Sequence, residues 1–162
     1  IIILMIKKFT KILIISSFIL LSNCGFKVID ISQINNFTIQ EIKTTGDKRI
    51  GFKIKNNLAA NSEKNNKNVL VINLDTKKEK SIKEKNIKNE ITKYEISLEI
   101  IVEFDLVASD IKEKFNINIS GDYLVGSNYS TTINNEKKLI DNLSKNISEN
   151  ILNKISSRIN DI

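Results

Sequence analysis

The chain has 162 residues, with 25 lysines and arginines against 19 aspartates and glutamates, a formal charge of +6, no histidine, no proline, no tryptophan and one cysteine. Without an imidazole there is no Ser-His-Asp triad and no Cys-His dyad, no zinc site of Cys/His type can be assembled, and a single thiol makes no disulfide within the chain. Apolar residues at 41% and charged residues at 27% are enough to fill the core of one domain and place the chain outside the disordered class.

The first segment reads as an address. Met5 is the only methionine and the expected start. Lys7, Lys8 and Lys11 form a basic region, Ile12–Leu21 an apolar one broken only by Ser16 and Ser17, and Leu21-Ser22-Asn23-Cys24-Gly25 closes it. This is the order of a bacterial signal peptide ending in a lipobox, which would be cleaved before a lipid-modified Cys24. Asn23 stands where the lipobox usually has Gly, Ala or Ser. The competing reading is an uncleaved helical anchor, but Phe9–Leu21 is 13 residues, short of the roughly 20 that a span needs. Gly25 after the cysteine, rather than Asp, points to outer-membrane delivery. The expected organisation is a signal peptide over 1–23, a lipidated tether over 24–36 and one domain over 37–162.

Within that domain Phe37–Lys43 predicts a first strand whose alternation slips at Glu41–Ile42. Thr44-Thr45-Gly46-Asp47 is a turn and helix-start signal, and Ile50, Ile54 and Leu58 recur every four residues along a short helix. Asn61–Asn68 reads as loop, Val69–Leu74 as a second strand, and the lysine-rich Asp75–Lys88 as strand ends around a long protruding hairpin. The third strand has strict period 2: Tyr94, Ile96, Leu98, Ile100, Val102, Phe104 and Leu106 alternate with polar residues, Ile101 excepted. One face is therefore buried and the other wet. After a turn at Ala108-Ser109-Asp110, a fourth strand places Phe115, Ile117, Ile119, Tyr123 and Val125 on its apolar side, with Gly121 on that side as a bulge or close packing point. Asn134 or Asn135 is the expected cap of a last helix, whose stripe Leu139, Leu143, Ile147, Ile151, Ile155 and Ile159 steps by four. The predicted fold is α+β: a four-stranded antiparallel sheet with one short and one long C-terminal helix packed on one face.

This order, directly after a lipidated cysteine, resembles the LPS-assembly lipoprotein family LptE, also called rare lipoprotein B. The local likeness is Leu21-Ser22-Asn23-Cys24-Gly25-Phe26; the wider one is the short helix around Arg49–Leu58, the long third strand from Tyr94, the fourth strand leading into Asn128-Tyr129-Ser130, and the last amphipathic helix. The resemblance implies a non-enzymatic, periplasm-facing lipoprotein of the Gram-negative outer membrane. Such a protein plugs and helps assemble the LptD β-barrel translocon for lipopolysaccharide transport to the cell surface. The alternative is a ligand-binding or auxiliary lipoprotein of a lipid or solute transporter, with a pocket under the sheet.

The remaining chemistry is sparse. Glu95, Glu99, Glu103 and Asp105 share one strand face, which reads more simply as solvated than as catalytic. No metal, cofactor or catalytic residue is expected, and glycine loops for phosphates are missing. Isoleucine, lysine and asparagine, which share AT-rich codons, make up 77 residues, so lysine abundance says little about nucleic acid, and no such partner is expected. Lys77, Lys78, Lys80, Lys83 and Lys85 are the candidate contacts to lipopolysaccharide phosphates, diluted by Glu79 and Glu84; the simpler reading is a solvated hairpin. Tyr123 and Tyr129, near the strand end, are candidate partner contacts, with ordinary packing the simpler reading of single aromatics.

Overall fold

A computed structural model describes residues 37–62, 66–109 and 111–161. The expected signal peptide, Cys24 with its lipidation, the tether and Asp110 lie outside the described residues. The elements run β1 (Thr38–Gly46), α1 (Lys48–Ala60), β2 (Val69–Lys85), β3 (Ile91–Leu106), β4 (Ile111–Leu124) and α2 (Tyr129–Asn160).

The four strands lie in the sheet in chain order. β2–β3 and β3–β4 are antiparallel, as expected, but β1 pairs with β2 in parallel, so the sheet is mixed. The reason lies in the connection: α1 returns the chain to the end where β1 began, and a helical crossover joins parallel neighbours. The slip in the β1 alternation is a register shift between Ile39 and Glu41. The extra residue, Gln40, resets the phase so that Ile42, after the shift, is buried opposite Ile72.

The period-2 reading of β3 is borne out. Ile96, Leu98, Ile100, Val102, Phe104 and Leu106 are buried, and the odd-numbered residues between them are exposed or half-buried. Against this face pack α1, through Ile50, Ile54 and Leu58, and α2, through Ile140, Leu143, Ile147, Ile151, Leu152 and Ile155. Each fully buried Leu or Ile contributes about 1.5–3 kcal/mol over leaving it in water. Gly121 is a packing point rather than a bulge: a Cβ there would lie 2.8 Å from Leu139 Cδ1, and the β3–β4 register is unbroken.

Both helices are capped by side chains. Asp47 Oδ1 accepts from the backbone N–H groups of Arg49 and Ile50, each at 3.0 Å. The cap of α2 is Asn128, whose Oδ1 accepts from the Thr131 N–H at 2.8 Å, not Asn134 or Asn135. The apolar stripe begins later than the helix because the first turns find little to pack on: Tyr129 is 81% and Ile133 42% exposed. Asn135 instead donates from its amide to the Leu124 carbonyl at 3.0 Å.

Candidate interaction surface

The sheet has two unlike faces. The one away from the helices carries a cross-strand ladder of charges. Lys83 meets Glu95 at 2.5 Å, Lys93 meets Glu84 at 2.9 Å, Lys114 meets Glu103 at 2.7 Å, and Lys112 lies 3.9 Å from Asp105. Three of the acids considered above as a catalytic row, Glu95, Glu103 and Asp105, are thus partners of lysines. No cluster able to hold a metal ion occurs among the described residues. A shallow depression of about 390 Å³ on this face is lined by Lys77, Glu79, Ser97, Glu99, Asn118 and Ser120.

The candidate lysines do not converge. Strand alternation sends Lys77 to the ladder face, where Glu79 lies at 2.9 Å and holds its ammonium above the usual value by a hydrogen bond and charge. Lys83 is held up in the same way by Glu95. Lys78 and Lys80 point to the helix side. Lys78 and Lys85 have no ion pair among the described residues.

Lys80 belongs to a cluster that the sequence reading did not assemble. Tyr94 and Tyr123 are cross-strand partners with stacked rings, centroids 5.7 Å apart. Lys80 Nζ sits 4.3 Å from the centre of the Tyr94 ring and 5.3 Å from that of Tyr123, within cation–π range. Glu136, from the second turn of α2, accepts from Lys80 at 2.8 Å and from the Tyr123 hydroxyl at 2.7 Å. Burial alone would raise the Glu136 carboxyl, but the bonds from Lys80 and Tyr123 outweigh it and hold it below the carboxylate range. Burial raises the Tyr123 phenol, against the pull of Lys80. For Lys80 burial works downward, and Glu136 and Tyr123 together leave its ammonium raised. The group ties the start of α2 to the far half of β2. The signal available in the sequence was that Tyr94 and Tyr123 close the apolar rows of neighbouring strands; the lysine and glutamate that complete the group come from distant segments.

Beyond this cluster the β2–β3 hairpin projects as a two-stranded ribbon. β4 first pairs at Leu124 opposite Lys93, and the turn at 86–90 lies past it, with Ile87 fully exposed. Ile82, Leu124, Tyr129 and Ile133 leave further apolar area uncovered at this end. No helix among the described residues is long and apolar enough to cross a membrane. Among the described residues the even-numbered face of β3 is covered by the helices, and a surface groove of about 590 Å³ between α1 and α2 is lined by Arg49, Phe52, Asn56, Asn142 and Lys145.

No protein-family model matches the chain, and no curated protein matches it. Solved structures do. The rare lipoprotein B of Shewanella oneidensis is similar over 75% of this chain and 97% of its own, with a TM-score of 0.57 and 16% identity. An uncharacterized lipoprotein B of Nitrosomonas europaea is similar over 77% of this chain and 88% of its own, with a TM-score of 0.54 and 12% identity. The four-stranded sheet under one short and one long helix, mixed rather than antiparallel as expected, is thus the fold of rare lipoprotein B.

Proposed function

We propose that the chain is an outer-membrane lipoprotein, anchored through Cys24, that plugs and helps assemble an LptD-type β-barrel for lipopolysaccharide transport, and that it performs no catalytic step. The observation that carries this reading is the fold likeness to rare lipoprotein B, which extends over 97% of that chain. The lipobox ending in Cys24-Gly25-Phe26 supports the anchor independently of the fold. The charge-paired open face of the sheet suits a polar surround such as the inner wall of a barrel, since every cross-strand pair there remains hydrated or matched. Of the lysines assigned to lipopolysaccharide, Lys78 and Lys85 have the freest charges; Lys77, Lys80 and Lys83 would have to share theirs with Glu79, Glu136 and Glu95.

The rival reading, a ligand pocket under the sheet, finds little support. The face that would line it, the even-numbered residues from Tyr94 to Leu106, is packed against the helices, with Tyr94 half-buried at its open end and Ile96 to Leu106 buried. An affinity pull-down of the tagged full chain from solubilised outer membranes, with partners identified by mass spectrometry, tests the proposal. A stoichiometric large β-barrel protein is expected. Recovery alone, or with inner-membrane transporter subunits, retires the barrel reading. Cys24→Ser is expected to yield unprocessed or soluble chain, and unchanged partitioning into the detergent phase would retire the anchor.

A further inference from the structure

The strand order leaves three stretches of sheet edge, and they are guarded differently. On the outer edge of β1 the bulge at Gln40 breaks the ladder, Lys55 Nζ donates to the Ile42 carbonyl at 3.0 Å, and the Ile39 N–H donates to the Ser62 hydroxyl at 3.0 Å. On the outer edge of β4 side chains of α2 reach over: Lys154 donates to the Asn116 carbonyl at 3.4 Å and Asn135 to that of Leu124. The third edge exists because β1 ends at Gly46, opposite Thr76, while β2 continues to Lys85.

The alternation of the ladder says which groups face out along this third edge. The Val107 N–H bonds to the Val69 carbonyl, so odd-numbered residues of β2 turn their backbone groups to β3 and even-numbered ones turn them away. Thr76 agrees with this, since its carbonyl accepts from the Asp47 N–H at 2.7 Å. Past Thr76 the N–H and C=O groups of Lys78, Lys80 and Ile82 turn outward, with no hydrogen-bond partner among the described residues. Register shifts follow Ile82 and end the regular edge.

An open edge is a template for another strand, and lysine along it selects against some strands and for others. Residues 77–85 hold five lysines and two glutamates. A second copy pairing here would set lysine against lysine, which is unfavourable across strands. A carboxylate-bearing strand would meet Lys78 and Lys85, neither of which forms an ion pair among the described residues. We propose that the edge at Lys78–Ile82 receives an extended acidic segment of a partner protein as an added strand, lying beyond the end of β1. This goes beyond the barrel reading and stands or falls without it.

Hydrogen–deuterium exchange on the detergent-solubilised full chain, resolved to single amides, tests the proposal. The probe is a blocked peptide of roughly eight residues, the length of an ordinary strand, alternating glutamate with valine and threonine. In the free chain the amides of Lys78, Lys80 and Ile82 are expected to exchange quickly and those of Lys77, Glu79 and Ser81 slowly. The glutamate peptide should slow the three outward amides by about tenfold or more, and the same peptide with lysine for glutamate should not. The Lys78→Glu, Lys85→Glu double variant removes no ion pair and should keep the free-chain pattern while losing the peptide's effect. Slow outward amides in the free chain, concentration-dependent protection without peptide, equal protection by both peptides, or protection confined to another edge would each overturn the proposal. The barrel pull-down can fail without changing this result.

Discussion

β2 is one strand with two characters. From Leu70 to Thr76 its even-numbered side chains are buried, opposite the equally buried even-numbered residues of β3. From Lys78 onward the same side carries lysines and a half-exposed Ile82. The change comes where β1 stops and α1 turns away, at Gly46 and Asp47. The composition of a strand thus follows its cover rather than the strand itself: apolar where two helices and a neighbour close over it, cationic where an edge and a face are left to water. Thr76 marks the border, a buried hydroxyl that donates to the Thr45 and Asp47 carbonyls at 2.9 and 3.0 Å.

Substitutions on either side should separate the two halves. Phe104→Ala, in the closed half, empties a fully buried site beside Phe115, centroids 6.4 Å apart. A loss of about 3–5 kcal/mol is expected in urea unfolding, and a loss below about 1 kcal/mol would show that this half is loosely packed. At the border, Gly46→Ala puts a Cβ 2.0 Å from the Thr76 carbonyl oxygen at φ +79°. About 1–3 kcal/mol should go, and an unchanged midpoint would mean that this turn does not fix where β1 ends. Asp47→Ala removes the α1 cap, with about 1 kcal/mol expected by the same measurement.

In the open half the effects should be smaller and depend on pH. Although burial pushes the Glu136 carboxyl up, its bonds to Lys80 and Tyr123 leave it below the unfolded value of 4.5. Its contribution is therefore present above that value and lost as pH falls through the lower folded one. Urea midpoints followed from roughly pH 6 to pH 2 should fall more steeply for the native chain than for Glu136→Gln, and parallel curves would contradict the pairing. Lys83→Ala, at an exposed pair, should leave the melting temperature within error.

The sequence announced what repeats locally. The β3 alternation placed its buried face residue by residue, and the four-residue steps found both helical stripes. Partner direction is not a local property, so nothing in Phe37–Lys43 distinguishes a parallel neighbour from an antiparallel one. The helix between β1 and β2 implied it, but only once those strands were known to pair. The start of α2 precedes its apolar stripe because hydrophobic periodicity reports contact, and its first turns leave Tyr129 and Ile133 exposed. The Lys80–Tyr94–Tyr123–Glu136 group joins three strands and a helix. No spacing in the chain encodes such a meeting, and the five lysines looked like one patch because a strand's alternation had not yet divided them.

Strand order that equals chain order has a consequence in time. Each strand of this sheet can pair with the one made just before it, so no strand waits for a distant partner and loop closure is inexpensive. The long helix is different. It follows all four strands in the chain, and among the described residues it covers Gly121 and seats Lys154 beside Phe115. During synthesis the greasy side of β3 and β4 therefore stands open until this helix of 32 residues arrives. The interval in which this protein most needs a holding chaperone is set by the delay of that one helix.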